Sequence, residues 1–159
     1  MIRLTQTDVE YGNCWQTAIA CILEIDPATM PDQAAIVAAG TGAHHGYHNP
    51  LMEYLVRHHR MAYYELQDWQ FGAIKIAALD GYHMLVGPTV RTPMTGVHHV
   101  VVAQRGKMVW DVHPSRAGLT QAERWGILSP VPERFVLQRE ESRARMPDTF
   151  RCLCPECDE

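Results

Sequence analysis

The chain has 159 residues, 47% hydrophobic and 20% charged, with 14 Lys and Arg against 18 Asp and Glu for a net charge of −4. That length suits one domain able to bury roughly 70% of its extended surface, and the composition excludes a disordered chain. The acidic balance offers no overall attraction to nucleic acid or an anionic membrane, and no run nears the roughly 20 apolar residues of a membrane helix. Met1 to Gln6 lacks the apolar centre of a secretory leader, and the cysteines are an odd five, Cys14, Cys21 and a terminal trio. This is unlike the even, spread framework of a small secreted domain, so a reducing cytoplasm is the expected location.

Ile2, Leu4 and Gln6 alternate with Arg3 and Thr5, a weak strand leading into a turn from Thr7 to Gly12. Asn13 reads as the cap of a helix from Cys14 to Leu23, where Trp15, Ala18, Ile19, Ile22 and Leu23 recur at helical spacing. On that helix Cys14 and Cys21 would stand about 10 Å apart, beyond the roughly 7 Å between the Cα atoms of a disulfide. Glu24-Ile25-Asp26-Pro27 ends it, and a second helix runs from Met30-Pro31-Asp32 to about Ala39. Glycines at 40, 42 and 46 make the histidine-rich stretch 44–48 a loop, and a third helix covers Pro50 to about Arg60 with His58 and His59 on different faces. Strand character follows at 61–66, 82–86, 97–103 and 108–112, with 87–96 as a connection and a solvated face of mixed charge from Arg134 onward. Helices first and strands second predict an α+β domain over 1–145, its antiparallel sheet packed on the early helices, then a Cys-rich tail over 146–159.

A cysteine at a helix start meets unpaired N–H groups and the positive end of the dipole, which lower a thiol's pKa. Cys14 stands there, whereas Cys21 reads as an inert core thiol. His98 and His99 open a β-branched strand, and alternation lets only one of them face a given side. Gln104-Arg105-Gly106 joins that strand to the one holding Asp111. A two-residue turn at Arg105-Gly106 puts Asp111 opposite Val100 on the His98 face, and a three-residue turn puts it opposite His99; spacing leaves both open. Thiol, imidazole and carboxylate together are the parts of covalent acyl transfer. Gln6 is a candidate oxyanion donor beside the Cys14 N–H, a contribution of about 3 kcal/mol when well placed.

Gln6, Gly12-Asn13-Cys14-Trp15-Gln16, His99-Val100-Val101-Val102 and Asp111, in that order, resemble the papain-like cysteine hydrolases, particularly the bacteriocin-processing type of peptidase. With Gly81-Tyr82-His83 and Asp111 through Leu119 added, the chain also resembles small uncharacterised phage and bacterial proteins of that fold, over roughly residues 4–119. The resemblance implies a papain-like fold and makes His99 the base, Cys14 the nucleophile, Asp111 the orienting residue and Gln6 the oxyanion donor. Val112 and Trp110 depart from the proline and histidine that usually flank the aspartate in the narrower group, and His113 is a second candidate for orienting the base. Asn13, Trp15, His98 and His113 are candidate substrate contacts. The implied activity is hydrolysis of a peptide, isopeptide or other amide in a protein or peptide substrate, through a thioester and without a cofactor. It names no particular substrate, since one fold hosts many chemistries.

Cys152, Cys154 and Cys157 place three thiols in six residues, a spacing that suits structural zinc completed by a histidine of the body or a second chain. The histidines at 44, 45, 48, 58 and 59 lack the two-histidine-plus-carboxylate spacing of a zinc hydrolase, which ranks that function last. Trp15, Trp69, Trp110 and Trp125 read as core or cleft-wall aromatics. The alternative to an enzyme is a catalytically silent papain-fold protein that binds a host or phage protein through its cleft and Cys-rich tail.

Overall fold

The computed structural model describes residues 1–9, 12–39, 45–67, 80–91 and 98–132. Three helices, α1 (Cys14–Leu23), α2 (Gln33–Ala38) and α3 (His45–Tyr54), precede five strands: β1 (Met61–Gln67), β2 (Tyr82–Gly87), β3 (His99–Gln104), β4 (Lys107–Asp111) and β5 (Arg124–Pro130). The strands form one sheet in the order β1-β5-β2-β3-β4, every neighbouring pair antiparallel. This is the α+β arrangement expected from helices first and strands second. Among the described residues no helix is long and apolar enough to cross a membrane.

α1 has the bounds its apolar spacing predicts, and every residue from Cys14 to Cys21 is buried. Its cap differs from expectation. The Asn13 side chain makes no capping bond; its Nδ2 donates to Thr7 Oγ1 (3.0 Å) and its Oδ1 accepts from the Asp8 N–H (3.3 Å), tying the preceding turn together. The cap comes from Gln33, whose Oε1 accepts from the Gln16 N–H (3.0 Å) while Gln16 Oε1 accepts from the Gln33 N–H (3.1 Å). Each helix start thus satisfies one orphan donor of the other, with both side chains buried. α2 lies within the expected second helix and is capped by Asp32, which accepts from the Ala35 N–H.

α3 starts five residues before Pro50, so 45–48 are its first turn rather than a loop, and Pro50 lies inside it. Tyr47, Leu51 and Leu55 explain this: four apart and all buried, they form one apolar stripe that packs the helix in spite of the proline. A π-helical turn, Leu55–His59, follows and brings both His58 and His59 onto the Tyr54 ring rather than onto separate faces. Residues 2–6 form no strand. Their N–H groups bond singly, Ile2 to the Cys21 carbonyl (3.2 Å) and Gln6 to the Val112 carbonyl (2.8 Å), so no ladder forms. β5 lay outside the strand signals because its Gly126 and closing Pro130 dilute the pattern.

Both faces of the central strands are buried. Met84, Val86, Val100 and Val102 face the cluster built on α1 and α3, whereas Leu85, Val101, Ala103 and Trp125 form a second cluster on the other side. This double burial is why β2 and β3 read as unbroken apolar runs. His83 joins the second cluster, stacked on Trp125 with ring centroids 5.3 Å apart. Its Nδ1 lies 3.1 Å from the Gly81 carbonyl and its Nε2 accepts from the Gly106 N–H (3.3 Å), which holds the turn after β3.

The segment entering β5 crosses the end of β2, where the Thr120 N–H donates to the Pro88 carbonyl (2.8 Å) and the Glu123 N–H to the Val86 carbonyl (2.9 Å). A Cβ on Gly87 would stand 2.1 Å from the Gln121 carbonyl oxygen. Gly87→Ala should therefore cost about 1–3 kcal/mol, read as a lower thermal unfolding midpoint. Gly81→Ala, whose Cβ meets nothing within 4 Å, should leave the midpoint in place.

Candidate active site

Gln104 pairs with Lys107 around a two-residue turn in which both Arg105 (φ 50°) and Gly106 (φ 73°) are left-handed, the hairpin geometry that matches strand twist. Left uninterrupted, that turn would set Asp111 opposite Val100. Instead the register shifts: Ala103 faces Met108 but Val102 faces Trp110, so Val109 is an extra residue in β4 and Asp111 falls opposite Val101. A one-residue slip moves a side chain to the other face of a sheet. The bulge thus carries Asp111 from the His98 side to the His99 side, by a route neither turn length anticipated.

There His99 Nε2 donates to Asp111 Oδ1 over 2.7 Å, with His99 5% and Asp111 3% exposed. The same oxygen accepts from the His113 N–H (2.8 Å), and Oδ2 accepts from the Gly118 N–H (2.8 Å), Gly118 having a φ of 70°. Burial by itself would raise the Asp111 pKa, but the bond from His99 and the two backbone donors reverse this and hold it at about 2. Arg116 closes the loop by donating to the Asp111 carbonyl and, over 2.6 Å, to Thr5 Oγ1.

The guanidiniums of Arg116 and Arg3 also lie over the Trp110 ring, 3.8 and 5.2 Å from its centroid, while Trp110 Nε1 donates to the Leu4 carbonyl (2.7 Å). These contacts pin residues 3–6 against β4 and set the place of Gln6. The Gln6 side chain is buried; its Nε2 donates to the Asp8 carbonyl (2.9 Å), and its Oε1 has no partner.

Cys14, 7% exposed, is the first residue of α1. His99 is the first residue of β3 and Asp111 the last of β4, so all three stand at element ends. Alternation groups His99 and Asp111 with Val101, and Cys14 comes to the same strand end from the α1 side. Its sulfur lies close to the backbone N–H of Val100, the residue after His99. No direct hydrogen bond joins thiol and imidazole at rest. The helix start does not lower the Cys14 pKa as its position suggests: burial dominates and pushes the thiol up to about 11. The N–H groups of Val100, Trp15 and Cys14 and the charge of Arg91 only partly offset that rise.

The other candidates are spread around this end of the sheet. Trp15 is buried, its ring edge-on to those of His48 (5.2 Å) and Tyr63 (5.5 Å). His98 Nε2 lies 2.7 Å from Glu123 Oε2, and the histidine's hydrogen bond lowers the Glu123 pKa. His113 stands edge-on to His99 at 5.9 Å, its Nδ1 2.9 Å from Ser115 Oγ, so Asp111 and not His113 orients His99. Arg91 donates to the same Ser115 oxygen (3.3 Å) and to Thr89 Oγ1 (3.3 Å), which places a cation on the rim that no spacing rule pointed to. Gln33 was equally silent in the sequence. Among the described residues no group of three or more His, Cys, Asp or Glu side chains could hold a metal ion. Cys152, Cys154 and Cys157, like Trp69, His44 and the charged stretch after Arg134, lie outside the described residues.

Two pH dependences follow from these surroundings. The Asp111 pKa is depressed on folding, so its stabilisation is fully present above the ordinary value of 3.8 and is lost as the pH falls through about 2. Acid titration of stability should show wild type losing roughly 2 kcal/mol more than Asp111→Asn across that window. The Cys14 pKa is raised, so iodoacetamide alkylation of its peptide, followed by mass spectrometry, should climb about tenfold per pH unit and level only near about 11. A plateau below neutrality would show a preformed thiolate instead.

Comparison with protein-family models, curated proteins and solved structures found no match for the chain.

Proposed function

We propose that the chain is a papain-like cysteine hydrolase acting on a peptide, isopeptide or other amide bond. The observation that carries this reading is the buried His99–Asp111 bond at the strand end to which α1 brings the Cys14 sulfur. Asp111 accepts a hydrogen bond from the Nε2–H of His99, which leaves Nδ1 as the ring's proton acceptor. Burial keeps the thiol protonated, so the proton leaves for Nδ1 as the sulfur–carbon bond forms rather than beforehand. The carbonyl electron pair moves to oxygen, where the Cys14 N–H and the second amide proton of Gln6 are the donors. Collapse breaks the C–N bond, His99 returns the proton to the leaving amine, and water activated by the same imidazole releases the acyl group.

A second reading, a papain-fold binding protein without activity, is favoured by one observation: a buried, high-pKa thiol with no hydrogen bond to the histidine resembles an inert core cysteine. The two separate in one experiment. Labelling of Cys14 by a thiol-directed peptidyl electrophile should vanish in Cys14→Ala and slow about 100-fold or more in His99→Ala. Equal labelling of wild type and His99→Ala would leave the binding protein standing.

A further inference from the structure

A charged side chain crosses the strand end of His99 without a part in the chemistry. β2 pairs with β3 so that Gly87 stands opposite His99, and the chain that leaves β2 there reaches Arg91 a few residues on. Thr89, 2% exposed, accepts from Arg91 Nε over 3.3 Å and ties the half-buried guanidinium to the body of the fold. On the far side of β3, Arg91 Nη1 donates to Ser115 Oγ (3.3 Å), in the loop that follows β4. A side chain that starts beyond β2 and bonds to the loop beyond β4 has to cross the mouth of β3, the strand between them, where His99 sits. The contacts continue inward: Ser115 Oγ is 2.9 Å from His113 Nδ1, and the His113 ring stands edge-on to that of His99 at 5.9 Å. Electrostatics agrees. Burial is the larger influence at both Cys14 and His113, and the Arg91 charge lowers the pKa of each.

A guanidinium carries a fixed charge and a planar fork of N–H donors that matches a carboxylate. At Arg91 the donors in use go to neutral hydroxyls at the long end of hydrogen-bond distance, and the remaining Nη1 proton and both Nη2 protons have no partner among the described residues. Arg57, Arg105 and Arg124 by contrast pair with Glu53, Asp80 and Glu65. Asp111 does not answer the Arg91 charge, since its oxygens are taken by His99, His113 and Gly118. A cation held beside the reacting groups without a counter-charge suits an anion that arrives with the substrate, and the anion of a peptide is a carboxylate. We propose that Arg91 is a specificity-determining residue that binds a substrate carboxylate, carried by an Asp or Glu side chain next to the scissile amide or by the end of the chain being cut. This rests on the thiol-hydrolase reading and narrows its substrate class to peptides with a carboxylate close to the cut bond. The carboxylate takes the free Nη protons while Thr89 holds Nε.

The test uses amidated alanine peptides with an internal α,β-unsaturated amide, which adds a thiol and has residues on both sides. Glu or Gln replaces the alanine at each flanking position in turn, and a further member ends in a free carboxylate. Labelling of Cys14 is followed by mass spectrometry at neutral pH. At least one acidic member should label wild type about 10- to 100-fold faster than its neutral match, through a lower half-saturating concentration. The ratio should fall to near one in Arg91→Gln and invert in Arg91→Glu. Preference for a Glu member or for the free end tells a side chain from a terminus as the source of the carboxylate. Equal labelling by every acidic and neutral pair in wild type would overturn the assignment, as would a preference that survives Arg91→Gln. Each ratio is taken within one protein, so any loss of stability or thiol reactivity in a variant cancels. Labelling of wild type no faster than that of His99→Ala with every member would remove the thiol-hydrolase reading and this proposal together. Faster labelling of wild type without an acidic preference removes the Arg91 assignment alone.

Discussion

A carboxylate taken out of water has to be met by donors, and the way Asp111 is met shapes one whole end of the sheet. Its oxygens receive the His99 ring, the His113 N–H and the Gly118 N–H, while Arg116 holds its carbonyl and reaches across to Thr5. The chain from β4 to Gly118 wraps the carboxylate closely because each of those donors has to arrive within hydrogen-bonding distance. Gly118 provides a left-handed corner for the wrap, and Arg116 adopts the same backbone region at φ 54°. The imidazole is thereby fixed in one tautomer and one orientation, which any role for His99 as a base or a binding group requires.

The thiol side of the site is governed by a different balance. A helix N-terminus favours a thiolate, but that effect is small against the desolvation of a buried sulfur, and at Cys14 desolvation wins. The Gln16–Gln33 exchange explains part of the burial. By bonding each other's backbone N–H, the two side chains seat α2 against the head of α1, and Gln16 Nε2 adds a bond to the Pro27 carbonyl (2.8 Å). The aromatic contacts of Trp15 with His48 and Tyr63 complete the wall. The head of α1 is thus packed as tightly as a core, with polar groups matched to one another rather than to water.

Much of the fold could be read from spacing alone. The bounds of α1, the existence of α2 and four of the strands follow from apolar periodicity and turn residues, since each is set by neighbours a few positions away. Spacing was weaker where distant packing overrides local preference. Pro50 looks like a helix start, yet the Tyr47-Leu51-Leu55 stripe draws the helix through it. Asn13 looks like a cap, yet the turn before it claims its side chain and a glutamine twenty residues on takes its place. β5 is stabilised by pairing with β1 and β2, partners that its own Gly126 and Pro130 give no hint of.

Cys14 at a helix head, His98 and His99 at a strand mouth and Asp111 on the next strand were all visible in the chain, because residue type and local period suffice to place a side chain on an element. Which histidine meets the carboxylate was decided only by the tertiary structure. The turn sets one register and the bulge at Val109 changes it by one, and whether a bulge forms depends on how both faces of the hairpin are packed. The state of the thiol was decided there as well. Helix position is a local property, but the loss of water around a sulfur is the sum of everything that folds over it.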